Sequence, residues 1–319
     1  MPPPQPFNPR AIKALLIDLS GTLHVGRELT PRAAEAVGRL RGAGVPFLFC
    51  SNSTKESEAR LLSTLTAIGL PASPGELLTS LGACRQYVEA RGLNPYLLVS
   101  PEAAEEFAGL PRAASHAHDA VVVGLYPPAF GYDSLNTAFR VLKREPLYVS
   151  AGEGEGGQGE GEGERGPLSD PTPAPSGAAT PTLPPAPVLV APHLSAFQQN
   201  PATEAFPAGL SLGVGAYVRA LAAAAAVDPV VVGKPSRGFF ELALARLAAT
   251  HGAAFDPASV LIVGDDAVND LGDGALALGL HRVLVRTGKY RPGSEHTHPP
   301  PDAVYDSFAD LVDAILGAA

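Results

Sequence analysis

Two short apolar runs, one near each end of the chain, stop at aspartates: residues 11–18 read AIKALLID and residues 259–266 read SVLIVGDD. Each has the length and composition of a buried strand, and each leads through a loop into helical periodicity. After the first, Thr30 is placed to cap a helix that opens at Pro31 and runs through Arg41, with Ala33, Ala34, Val37 and Leu40 facing inward. Gly42 and Gly44 end it. Residues 45–50 (VPFLFC) then form a strand, and Leu61, Leu62, Leu65 and Ile68 mark a second helix over 55–69. The same order returns later: an apolar strand at 229–232, the turn GKPS, a helix over 237–252, the strand 259–266, a helix over about 270–279 and a strand at 282–288. Alternation of this kind with short connections gives a parallel sheet covered by helices, with its site at the strand ends that carry the acids.

The middle of the chain repeats the pattern independently. A helix over 79–91, strands at 96–99 and 120–124, a helix over 132–143 and a strand at 146–150 suffice for a second domain inserted between the halves of the first. Residues 188–192 are a further strand, so 147–149 and 188–190 compete for one place in that sheet.

Of 319 residues, 45% are hydrophobic and 17% charged, enough apolar material for two cores. The stretch 151–187 differs from the rest: it is rich in Gly and Pro, has no aromatic residue, and sets five Glu and one Asp against one Arg. Too little apolar area is available there to offset the entropy of ordering, so it reads as a disordered, acidic and then Pro-rich insertion. The formal net charge of −9 excludes a generally basic nucleic-acid or anionic-membrane surface. No apolar run approaches the roughly 20 residues that span a bilayer, and the opening MPPPQPFNPR lacks a leader's apolar stretch. Cys50 and Cys84 provide neither a disulfide scaffold nor a cysteine metal cluster and read as buried thiols. A cytoplasmic location is the default expectation, with the nucleus also open.

Four stretches at strand ends carry chemistry. In Asp18-Leu19-Ser20-Gly21-Thr22, an aspartate at a strand tip can be a metal ligand and a nucleophile toward phosphorus, and Gly21 lets the chain turn tightly; an Asp capping a turn looks the same. Ser51-Asn52-Ser53-Thr54 offers hydroxyls and N–H groups to an anion, or caps a helix. In Gly233-Lys234-Pro235 the lysine reads as a fixed cation facing phosphoryl oxygens. In the 264–270 stretch, GDDAVND, Asp265 and Asp270 have the spacing of a direct ligand and an outer carboxylate, and with Asp18 they provide the hard oxygen donors Mg²⁺ prefers. Helix capping is the other reading of Asp270. His116, His118, His296 and His298 read as loop residues, Phe239 and Phe240 as core anchors, and 221–227 as an Ala-rich helix.

Together LLIDLSGTL, CSNST, VVGKP and IVGDDAVND resemble the four motifs of the haloacid dehalogenase-like hydrolase superfamily, in the subgroup with a large α/β cap between the second and third motifs. The resemblance extends over roughly 10–150 and 208–315. It implies an α/β fold with a Rossmann-like parallel-sheet hydrolase core, discontinuous over 1–72 and 216–319, and an inserted α/β cap domain over 73–215 that contains 151–187. It further implies a Mg²⁺-dependent phosphatase for a small phosphorylated substrate, with Asp18 forming an aspartyl-phosphate. Mg²⁺ would be held by Asp18, the Ser20 carbonyl and Asp265, with Asp270 in the outer sphere. Ser51 and Asn52 would bind the phosphoryl group, and Lys234 would offset the charge on Asp18 and the phosphate. A homodimer is expected from the resemblance alone.

Two departures stand out. Most phosphatases of this family have an Asp where this chain has Ser20, and a serine cannot serve as the acid at neutral pH. The family's basic, Tyr-containing cap stretch is replaced by APHLSAFQQNPATEAFP, in which His193 stands where the family has a His. Two further readings therefore stay open: a catalytically weak protein that binds phosphorylated ligands or phosphoproteins through the same cleft, and an interaction protein acting through the insertion.

Overall fold

The computed structural model describes residues 7–110, 118–147, 186–200, 202, 204–207 and 209–317. The last part of the expected strand at 146–150, residues 151–185 of the low-complexity stretch, and His116 lie outside these. The strand β1 (Ala14–Asp18) leads through a small hairpin, β2 (His24–Val25) and β3 (Glu28–Leu29), into helix α1 (Ala33–Gly42). Then follow β4 (Phe47–Ser51), α2 (Glu58–Ala67), β5 (Leu77–Thr79), α3 (Ser80–Ala90), β6 (Pro95–Leu98), α4 (Pro101–Ala104), β7 (Ala120–Val123), α5 (Tyr132–Lys143) and β8 (Val188–Ala191). A hairpin of β9 (Phe197–Asn200) and β10 (Gly209–Leu212) precedes α6 (Val214–Ala225) and β11 (Val230–Val231). The chain closes with α7 (Arg237–His251), β12 (Val260–Gly264), α8 (Asp273–Leu278), β13 (His281–Val285), β14 (Ala303–Tyr305) and α9 (Phe308–Leu316).

Six strands form the main sheet in the order β14-β13-β12-β1-β4-β5, and every neighbouring pair in it is parallel. Side chains alternate across it as the pleat requires. Leu15, Ile17, Phe47, Phe49, Leu261 and Val263 pack with α1, α2 and α9 on one face, and Ala14, Leu16, Leu48, Cys50, Val260 and Ile262 pack with α7 and α8 on the other. This two-sided burial explains why the strands read as continuous apolar runs instead of alternating ones. The central strand β1 has β12 on one side and β4 on the other, so the winding reverses there, and the crevice beyond its carboxyl end is where open α/β sheets bind ligands.

A second parallel sheet, β11-β8-β7-β6, carries α5 and α6 on one face and α3 on the other. Residues 188–191 take the place beside β7. Two boundaries differ from expectation. Residues 77–79, assigned to the cap, pair with β4 in the main sheet. Residues 216–231, assigned to the core, belong with the second sheet: Val218, Leu221 and Ala225 of α6 join its core, and β11 pairs with β8. The alternation of strand and helix is the same on both sides of the junction, so it gave no sign of which sheet a strand would join. The chain returns to the main layer only at Gly233.

Thr30 does not cap α1. That helix starts two residues after Pro31, behind Arg32 in a left-handed conformation (φ 58°). The Thr30 hydroxyl instead donates to the carbonyls of Thr22 (2.9 Å) and Leu23 (3.2 Å), fixing the loop that follows Asp18. Phe239 and Phe240 are fully buried core residues, and Cys50 and Cys84 are buried free thiols. No helix among the described residues is long and apolar enough to cross a membrane.

Candidate active site

Three strands of the main sheet end at the crevice, and their last residues meet there. Asp18 closes β1, Ser51 closes β4, and Asp265 follows β12. Asp270 reaches back from the next loop, and Asp18, Asp265 and Asp270 present carboxylate oxygens all within 4.8 Å of one another. All three are buried. Three carboxylates this close repel one another, and the sequence counters the repulsion with Lys234. Its side chain is 0% exposed, and its Nζ donates to Asp18 Oδ1 (2.6 Å), Asp270 Oδ1 (2.9 Å) and the Cys50 carbonyl (3.0 Å). Every ammonium proton has an acceptor. Burial alone would lower the Lys234 pKa, but the two carboxylates raise it well above its ordinary value.

The lysine does not neutralise the whole group. Asp18 is raised to about 6, by burial first and by Asp270 second, even with Lys234 opposing. Asp265 is raised to about 8 by burial, Asp270 and Asp18. Asp265 Oδ2 accepts the Lys289 backbone N–H at 2.6 Å, whereas Oδ1 is buried with no hydrogen-bond partner. A buried carboxylate oxygen without a donor, beside two more carboxylates, is the donor set of a hard divalent cation. Glycines shape its surroundings: a Cβ on Gly21 (φ +101°) or Gly288 (φ +55°) would lie 2.0 or 2.1 Å from Asp265 Oδ2. Asp270 has both oxygens engaged, Oδ1 by Lys234 and Oδ2 by the Asp266 N–H at 3.1 Å.

Thr22, quoted in the first motif without a role, donates to Asp18 Oδ2 at 3.0 Å. Ser51 Oγ accepts from the Ser53 N–H at 3.1 Å, which leaves its hydroxyl proton to donate elsewhere. The Asn52 side chain is not free to face a phosphoryl group: its Nδ2 donates to the Lys234 carbonyl (3.3 Å), and its Oδ1 accepts the Lys234 N–H (3.2 Å) and the Ser80 hydroxyl. It clamps the lysine's backbone. Ser20 is exposed at the rim.

The second sheet reaches the site through residues 192–195. Ser195 Oγ donates to Asn269 Oδ1 (3.0 Å), and Asn269 Nδ2 donates to Asp266 Oδ2 (2.8 Å). His193 is lowered to about 4 by burial, Lys289 and Lys234, so its imidazole is neutral at pH 7. Neither the Ser195–Asn269 contact nor the place of Lys289 had a signal in the four motifs, because each depends on how separate loops meet.

A parallel α/β sheet that gathers carboxylates around a buried lysine at its switch point defines a class of proteins built to hold a cation and an anion together. Residues 15–110 match the family described as haloacid dehalogenase-like hydrolase, and residues 231–311 the one described as HAD-hydrolase-like. Haloacid dehalogenase-like hydrolase domain-containing protein 2 of Homo sapiens is 36% identical over 308 residues, which span 96% of this chain and 97% of that one. Phospholysine phosphohistidine inorganic pyrophosphate phosphatase of Danio rerio is 32% identical over 314 residues, 96% of this chain and 95% of that one. The chain belongs to the haloacid dehalogenase-like hydrolases. Its fold is shared with the p-nitrophenyl phosphatase of Archaeoglobus fulgidus, with a TM-score of 0.71 at 22% identity over 95% of this chain and 99% of that one. The 4-nitrophenylphosphatase of Thermotoga maritima gives the same score at 18% identity, covering 96% and 98%.

Proposed function

We propose that this protein is a Mg²⁺-dependent phosphatase that works through an aspartyl-phosphate on Asp18 and acts on a small phosphorylated substrate. The observation that carries the reading is the buried Asp18–Lys234–Asp270 array beside an Asp265 oxygen with no protein donor. An Asp18 oxygen attacks phosphorus, and the bond from phosphorus to the leaving atom breaks with its electron pair on that atom. Water then attacks the same phosphorus and releases its proton to solvent. The bond to Asp18 breaks, returning the carboxylate and inorganic phosphate. Lys234 and Thr22 hold Asp18 in one orientation, so little reorganisation precedes attack. The Ser51 hydroxyl and the Asn52 N–H receive phosphoryl oxygens. Asp18, Asp265 and the Ser20 carbonyl would hold Mg²⁺, with Asp270 behind them. The ion would supply charge neutralisation that one lysine cannot give three carboxylates and a phosphate dianion.

Ser20 supports a second reading, a phospho-ligand binding protein of low turnover, because a serine at that place cannot protonate the leaving atom at neutral pH. Calorimetric titration with Mg²⁺ tests the metal site common to both. Asp18→Asn and Asp265→Asn should each weaken Mg²⁺ binding by about ten-fold or more, since each removes a hard anionic donor. Unchanged affinity in both variants would remove the proposed site.

A further inference from the structure

Lys289 is a second cation at the site that the mechanism above does not use. Its backbone N–H is tied to Asp265 Oδ2, so the residue is fixed at the edge of the carboxylate group. Its side chain is 45% exposed, and the Nζ contact to Asp266 Oδ2 is a long 3.4 Å. Asp266 does not depend on that contact. Its Oδ1 accepts the N–H groups of Val268 (3.1 Å) and Asn269 (2.9 Å), and its Oδ2 accepts Asn269 Nδ2 (2.8 Å). Lys234, by contrast, is fully enclosed and has an acceptor for each proton, so it reaches nothing beyond the nucleophile.

Direction matters as much as charge. In-line displacement places the leaving atom opposite Asp18; Asp18 closes β1, so that atom lies beyond the strand ends, in the region the second layer reaches through the seam where Ser195 meets Asn269. Lys289 stands at that seam through Asp266. His193, on the other side of the seam, lies within electrostatic range of both lysines and is uncharged. Ser20 supplies no proton to the departing group, so a cation on the leaving side offsets negative charge that no acid neutralises.

We propose that Lys289 selects the substrate: its ammonium receives an anionic group, a second phosphoryl or a carboxylate, on the leaving side of the scissile bond. The proposal rests on the phosphatase reading and deepens it by naming the substrate class.

The test compares wild type, Lys289→Met and Lys289→Arg in the presence of Mg²⁺ on pyrophosphate, phosphoglycolate and phenyl phosphate. The methionine variant should lower kcat/KM for one or both of the substrates with a second anionic group about ten-fold relative to phenyl phosphate, chiefly through KM, as expected for loss of one charged contact. Arginine should restore most of it. A fall confined to pyrophosphate assigns a second phosphoryl group, and one confined to phosphoglycolate assigns a carboxylate. Calorimetric binding of methylenediphosphonate, whose P–C–P bridge cannot be hydrolysed, should weaken by a similar factor in Lys289→Met, and binding of inorganic phosphate by less. Unchanged ratios, or an arginine variant no better than methionine, would overturn the proposal. If no substrate shows turnover that Asp18→Asn abolishes, the phosphatase reading fails, and the methylenediphosphonate titration by itself still decides the role of Lys289.

Discussion

At Lys234 a buried ammonium is matched by Asp18, Asp270 and the Cys50 carbonyl; breaking such an array by removing one partner typically costs about 3–5 kcal/mol. Asp265 has no such partner, and its pH behaviour follows. Its pKa rises from the ordinary 3.8 to about 8 in the folded protein, so between those values the native state binds a proton that the unfolded chain has released. Its contribution to stability is present below the lower value and is lost as pH rises through the upper one. With a chelator present, the Tm should fall as pH rises from about 4 to about 8. Asp265→Asn should flatten that slope, and a divalent metal should restore stability at the alkaline end. A Tm that rises over the window, or a slope unchanged in the variant, would show that Asp265 is not the strained group. That Asp18, Ser51, Lys234, Asp265 and Asp270 come to one end of the sheet was legible because strand ends in a parallel sheet converge. The partners of Asn52, Thr22 and Lys289 were not, because a side chain's partner is chosen by loops that meet only after folding.

Among the elements, the loop by which the second layer reaches the site is seated by backbone fit. Residues 192–195 lie against three glycines. An added Cβ would come within 2.3 Å of the Ser195 carbonyl at Gly213, 2.3 Å of the Leu194 carbonyl at Gly215 and 2.0 Å of the Pro192 carbonyl at Gly233. Gly233 directly precedes Lys234, so this loop and the lysine share a seat. Ser195→Ala removes one hydrogen bond and should cost about 1 kcal/mol. Gly215→Ala must displace the loop and should cost more, about 1–3 kcal/mol, as overpacking does. Denaturant midpoints should therefore fall in the order wild type, Ser195→Ala, Gly215→Ala; a Gly215→Ala protein as stable as wild type would mean that the loop is not seated there. Long periodic elements such as α5 and α7 were legible from their spacing. The β9–β10 hairpin was not: Phe197, Leu210 and Leu212 are exposed on it, so it lacks the apolar-in, polar-out alternation that marks a half-buried strand. The short β11 was legible as a strand but not as a member of the second sheet.

For the whole molecule, residues 14–79 and 260–305 build one sheet, strands between 95 and 231 build another, and the two meet at a crevice lined with carboxylates. Class and position of the site follow from alternation and strand-end acids; the partition of 77–79 and 216–231 depended on which sheet each strand joined. The central claim is that phosphoryl transfer occurs on Asp18 without an enzyme-supplied proton for the leaving group. Its most direct measurement is a steady-state comparison at neutral pH with Mg²⁺ of phenyl phosphate, pyrophosphate, a phosphoramidate and a simple alkyl phosphate, with Asp18→Asn as the blank. Turnover of the first three should be abolished in the variant, and the alkyl phosphate should be slower by about 10²- to 10⁴-fold, the usual worth of general acid catalysis. Alkyl phosphate turnover equal to the others would contradict the leaving-group argument, and hydrolysis that survives in Asp18→Asn would contradict the account at its centre.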